Sequence, residues 1–152
     1  MRFLMMVGLV LFVSIATGVT AADNGLVSVK SPHTVQETAD RLENILKAKG
    51  MTIFNRINHG EGAGKVGVDL RPTELLIFGN PKVGAPLMKC AQSVGIDLPM
   101  KALIWQDSSG QAWLSYNAAG YLVERHAIVA CEAVVEKIQN ALRNFAAAAT
   151  QP

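Results

Sequence analysis

The chain has 152 residues, half of them hydrophobic and 17% charged, with 14 Lys+Arg against 12 Asp+Glu and a formal charge of +2. That length suits one domain, and the apolar content excludes intrinsic disorder. So small a charge, with no basic stripe, excludes nucleic acid as the main partner.

Residues 1–22 (MRFLMMVGLVLFVSIATGVTAA) start with Arg2, run uncharged from Phe3 to Val19 and close on Thr20-Ala21-Ala22. This is the layout of a secretory signal peptide. The run approaches bilayer-spanning length, but small residues end it and no Lys/Arg cluster follows, so cleavage is expected. The expected product is periplasmic or secreted, with no stable membrane anchor. The division is a leader over 1–22, one domain over 23–145 and a frayed tail over 146–152.

Residues 25–30 (GLVSVK) alternate as a half-buried strand does. Thr34 with Glu37 forms a capping box. Val35, Ala39, Leu42, Ile45 and Leu46 then follow at helical spacing, with Lys47 and Lys49 in the last turn and Gly50 as the stop. Residues 51–58 read as a second strand, with Ile53 and Ile57 set against Asn55. Residues 60–67 (GEGAGKVG) read as a glycine-rich connection, and 73–78 (TELLIF) as a buried strand. Asn80-Pro81 turns the chain. Pro86 is expected in the first turn of a helix that runs to about Val94, with Leu87, Met88, Ala91 and Val94 buried and Gly95 ending it. Residues 101–106 and 112–117 form a hairpin around Asp107-Ser108-Ser109-Gly110. Residues 121–126 make a helical turn. Cys131, Val134, Val135, Ile138, Leu142 and Phe145 mark one face of a final helix.

This order predicts an α+β fold: a two-layer sandwich whose largely antiparallel sheet carries amphipathic helices on one face. Trp105, Trp113 and Tyr116 lie on its strands. Aromatic surface left on the other face would suggest a dimer interface.

Gly62-Ala63-Gly64-Lys65-Val66-Gly67 matches G-x-G-x-x-G, but Arg71-Pro72 leaves too little room for the helix that a phosphate cradle requires. A turn is the better reading. Cys90 and Cys131, an even pair in an oxidising compartment, are candidates for a disulfide. It would close a loop of about 41 residues and be worth on the order of 4 kcal/mol. The alternative is two buried thiols acting as small hydrophobes. The three histidines, His33, His59 and His126, show no metal-ligand spacing, so no metal and no cofactor is assigned.

From Arg71-Pro72-Thr73-Glu74-Leu75-Leu76-Ile77-Phe78-Gly79-Asn80-Pro81-Lys82 the chain resembles the bacterial family called domain of unknown function 302. The resemblance continues through Gly84, Pro86-Leu87-Met88, Ile96-Asp97-Leu98-Pro99, Lys101, Trp105, Trp113-Leu114-Ser115-Tyr116-Asn117, Tyr121-Leu122 and Arg125-His126. It implies a compact α+β sandwich and a small homodimer, with no established activity. Where the family has a Thr, this chain has Ala85, which implies a weaker cap on the second helix by about 1 kcal/mol. The polar groups of these motifs are Arg71, Asn80, Lys82, Tyr116, Asn117, Arg125 and His126. With His59 they are the candidate ligand-binding residues, and convergence on one rim would favour an anion. Their structural alternative is service to turns and helix ends.

The sequence reading is therefore a non-enzymatic exported module, dimeric, binding a small anionic ligand or an envelope protein. The first alternative is an enzyme on a small anionic substrate, with His59 or His126 as base and Arg71 and Arg125 as clamps. The second is a redox or stress accessory using Cys90 and Cys131.

Overall fold

The computed structural model describes residues 19–21 and 24–152, with side chains from residue 24 onward. The rest of the predicted leader lies outside the described residues. The elements in chain order are β1 (Val19–Ala21), β2 (Leu26–Ser31), α1 (Val35–Ala48), β3 (Thr52–Asn58), α2 (His59–Gly64), β4 (Thr73–Gly79), α3 (Pro81–Cys90), a 3₁₀ turn (Gln92–Ile96), β5 (Met100–Gln106), β6 (Ala112–Asn117), α4 (Ala119–His126) and α5 (Glu132–Ala149). The strands form one sheet in the order β1-β2-β6-β5-β4-β3. Every neighbouring pair is antiparallel. The protein is thus an α+β sandwich, as its patterning predicts.

The register explains why one face is covered. Val27 and Val29 lie beside Tyr116 and Leu114. Those two lie beside Ala102 and Ile104, which in turn flank Leu76 and Glu74. All of these are buried, and with Leu42 and Leu46 of α1 and Ile138 and Leu142 of α5 they build the core. Side chains on the opposite face (Ile57, Leu75, Ile77, Leu103, Trp105, Trp113) stay half exposed. On that face Trp105 and Trp113 stack, with ring centroids 6.3 Å apart. Trp105 Nε1 and Ser28 bond to Ser115 Oγ at 2.8 and 2.7 Å, which accounts for a buried serine on the open side.

The capping box at Thr34 and Glu37 forms as predicted. Other expectations change. The glycine-rich connection begins as a short helix, because Asn58 Oδ1 accepts the Glu61 amide at 2.8 Å and caps it despite three glycines. The second predicted helix starts at Pro81, not Pro86, and ends at Cys90, not near Val94. Its cap is Asn80, whose Oδ1 accepts the Lys82 amide at 2.9 Å, so Ala85 stands in the helix body and weakens no cap. Pro86 lies inside the helix, where it has no amide to give the ladder. After Cys90 the chain opens at Ala91 and re-forms as the 3₁₀ turn that contains Gly95. Met88, expected in the buried stripe, is 38% exposed.

The predicted frayed tail is instead packed. Helix α5 continues to Ala149, which is fully buried, and Thr150 donates to the Ala146 carbonyl at 2.9 Å. Arg41 of α1 donates to the carbonyls of Ala149 and Gln151, and His33 Nε2 lies 2.7 Å from the latter. Alanines favour helix, and the Arg41 guanidinium meets carbonyls that would otherwise lack partners at the helix end.

Candidate functional site

The sequence-derived polar residues do not gather on one rim. Arg71 precedes β4 and donates to the Gln106 carbonyl at 3.0 Å. Asn80 and Lys82 follow β4. Seven residues of strand separate the two groups by roughly 20 Å. Asn80 caps α3 and donates from Nδ2 to the Gly50 carbonyl at 3.0 Å, so both ends of its amide serve structure. Lys82 is exposed. His59, the first residue of α2, is exposed and makes no side-chain hydrogen bond among the described residues. Tyr116 points into the core, where burial pushes its phenol pKa up, and Arg143 opposes that only partly. Asn117 is exposed at the end of β6.

Arg125 and His126 do come together, on a residue the sequence reading passed over. His126 Nε2 donates to Asp97 Oδ2 at 2.6 Å, and Arg125 Nε lies 3.3 Å from the same oxygen. His126 Nδ1 lies 3.0 Å from Ser93 Oγ. The imidazole is 6% exposed, whereas Ser93 is exposed. The cluster ties the end of α4 to the 3₁₀ turn. It also sets hydroxyl, imidazole and carboxylate in a row. Asp97 stands in the Ile96-Asp97-Leu98-Pro99 motif but was not among the candidate site residues, and 29 residues separate it from His126.

Cys90 and Cys131 form a disulfide with a Cα–Cα distance of 6.4 Å. It joins the end of α3 to the residue just before α5, so Cys131 takes the cap position of the final helix instead of lying on its face as the sequence predicts. The two helices therefore leave the bridge side by side, and between them lies a cavity of about 350 Å³. Val83, Gly84, Ala85 and Met88 line it from α3, and Lys137, Ile138, Ala141 and Leu142 from α5. Met51, Phe54, Phe78, Met100 and Phe145 close the sheet end. Small side chains keep the space open: Gly84 and Ala85 on one wall, Ala141 on the other. A Cβ on Gly79 would lie 3.4 Å from the Phe54 ring, so glycine there lets the ring lie close over the strand. Phe54 is 55% exposed at the mouth. The volume is within the roughly 300–1,000 Å³ typical of small-molecule sites, and such sites are likewise mostly apolar.

Of the sequence-derived candidates only Asn80 lines this cavity. The residues that make it are apolar or small and carry no chemical signature. The Gly84-Ala85 pair inside a helix was the available signal: side chains too small to fill the space opposite a neighbouring helix. Among the described residues no group of three or more His, Cys, Asp or Glu side chains is placed to hold a metal ion.

Comparison with known proteins bears on the whole arrangement. The family described as Domain of unknown function DUF302 matches residues 27–145. A crystal structure of an uncharacterized conserved protein DUF302 from Bacillus stearothermophilus superposes with a TM-score of 0.75 at 23% identity, covering 82% of this chain and 98% of that one. At that identity it supports the fold. Fluoride-specific ion channel FluC 1 of Brucella suis biovar 1 (strain 1330) is 47% identical over 106 residues, 70% of this chain and 42% of the relative. FluC 1 of Brucella abortus biovar 1 (strain 9-941) shares the same identity over 70% of this chain and 39% of its own length. The chain thus spans less than half of these relatives. Among the described residues no helix is long and apolar enough to cross a membrane.

Proposed function

The chain belongs to the Domain of unknown function DUF302 family, and we propose that this member is an exported, dimeric binding module whose small ligand occupies the cavity between α3 and α5. The carrying observation is that cavity: about 350 Å³, walled by two helices that a disulfide joins at one end, with Phe54 and Met88 exposed at its mouth. Apolar side chains left facing water around a concavity favour an occupant that removes them from it. A space that is concave rather than flat favours a small ligand over capture of an envelope protein.

Export rests on the residue 1–22 pattern. Cleavage after Ala22 would remove β1, which pairs only with β2 at the sheet edge, and would leave β2 to β6 intact. Dimerisation rests on the open sheet face, where Leu75, Leu103 and the stacked tryptophans form an apolar surface.

The cavity is tested with a fluorescent apolar probe such as N-phenyl-1-naphthylamine. Wild type should enhance its emission, and Ala141→Phe, which fills the space with a residue compatible with a helix, should weaken binding by roughly tenfold with circular dichroism unchanged. Equal enhancement by both proteins would remove the cavity from consideration. The dimer is tested by sedimentation: Leu103→Lys should convert it to monomer, and a wild-type monomer at all concentrations would end that part of the reading.

A second reading keeps His126 as a base. Ser93, His126 and Asp97 stand in the hydroxyl–imidazole–carboxylate order that acyl-transfer sites use, although here the carboxylate takes Nε2 and the hydroxyl Nδ1. It requires ester hydrolysis that Ser93→Ala and His126→Ala both abolish. None of the three residues lines the cavity, so the two readings separate cleanly.

A further inference from the structure

We propose that the cavity takes a single-chain amphiphile with an anionic head, its apolar chain lying between α3 and α5 and its head at Lys137. This deepens the ligand-binding reading and rests on it.

The lining carries one formal charge, the ammonium of Lys137, and no carboxylate. The helix supplies no neutralising partner either. The neighbours of Lys137 at three and four positions along α5 are Val134, Ala133, Asn140 and Ala141. Among the described residues the ion pairs go elsewhere. The other polar lining side chain, Asn80, is already engaged by Gly50 and Lys82.

The cavity is also polar along its length. The disulfide fixes the end of α3 against the start of α5, so Lys137, in the second turn of α5, lies towards the bridge. Phe145 lies eight residues further along α5, about 12 Å down the helix axis. There it meets Phe78 edge to face, with centroids 6.5 Å apart. One end offers a cation and the other offers rings and thioethers. An amphiphile has the same asymmetry. Lys137 is exposed at the cavity's edge, so an anionic head there would be paired while still meeting water, and the chain would lie against the apolar walls. A cationic head would meet a like charge.

The test measures binding of decanoate, decanol and decyltrimethylammonium by displacement of the naphthylamine probe, the two ions below their micelle concentrations and decanol below its solubility limit. Decanoate should bind about tenfold more tightly than decanol, and decyltrimethylammonium more weakly than either. Raised salt should narrow the decanoate advantage. Lys137→Met should bring the decanoate-to-decanol ratio near one, and Lys137→Arg should keep it. A wild-type ratio near one, or a ratio that survives in Lys137→Met, would overturn the anionic head while leaving the cavity reading in place. If none of the three ligands displaces a probe whose binding Ala141→Phe weakens, the amphiphile inference fails and the cavity reading stands; if wild type and Ala141→Phe enhance the probe equally, both fail.

Discussion

Asp107 opens the β5–β6 turn and accepts from Ser109 Oγ at 2.6 Å, from the amides of Ser109 and Gln111, and through its second oxygen from Trp113 Nε1 at 2.8 Å. The hydroxyl of Ser109 and then the indole of Trp113 hold its carboxyl down at about 2, below the ordinary 3.8. A carboxylate whose pKa is depressed on folding stabilises the fold above its unfolded value, and that contribution disappears as pH falls through the folded one. Asp107→Asn should therefore be less stable than wild type at neutral pH, and the gap should narrow between pH 4 and pH 2. Urea unfolding at a series of pH values measures it; a pH-independent gap would assign the effect to the turn's shape, not its charge. At this scale the sequence was partly readable. Asp107-Ser108-Ser109-Gly110 announces a turn, but the Asp97–His126 pair does not announce itself, because its members stand 29 residues apart and only tertiary packing brings them together. The same holds for buried Glu74, which is 7% exposed and is met by Arg56 at 2.7 Å.

Helix α3 shows what element-scale patterning can miss. Two prolines stand five residues apart, and only one can occupy the first turn. The sequence reading put Pro86 there, following the usual preference. Asn80 decides otherwise, because its side chain caps the Lys82 amide and its Nδ2 holds the Gly50 carbonyl beyond α1. Pro81 then takes the first position and Pro86 falls inside. Asn80→Ala should cost about 1 kcal/mol or somewhat more, since it removes a cap and a second hydrogen bond together. A shift in the urea midpoint at constant slope would show it; an unchanged midpoint would mean that Pro81 alone sets the start of the helix. Helix α1 and the hairpin were legible for the opposite reason. Each has its start signal, its periodicity and its stop residue in agreement, so no choice was left to tertiary structure.

For the molecule as a whole, the order of the elements and the two long amphipathic helices were enough to give a sheet with one covered face. Which helices would stand apart was not legible, because that depends on where Gly84, Ala85 and Ala141 face each other. The bridge between Cys90 and Cys131 spans 41 residues and joins the two cavity walls. Replacing both cysteines by alanine should lower stability by about 2–4 kcal/mol, and wild type under reductant should match the variant. Equal midpoints for oxidised and reduced wild type would show that the bridge adds nothing. The two indoles have a consequence of another kind. The chain contains two tryptophans, both on the helix-free side and stacked on one another. Tryptophan emission therefore originates from that side alone, and an added collisional quencher such as acrylamide should report shielding there without any label, independently of events between α3 and α5.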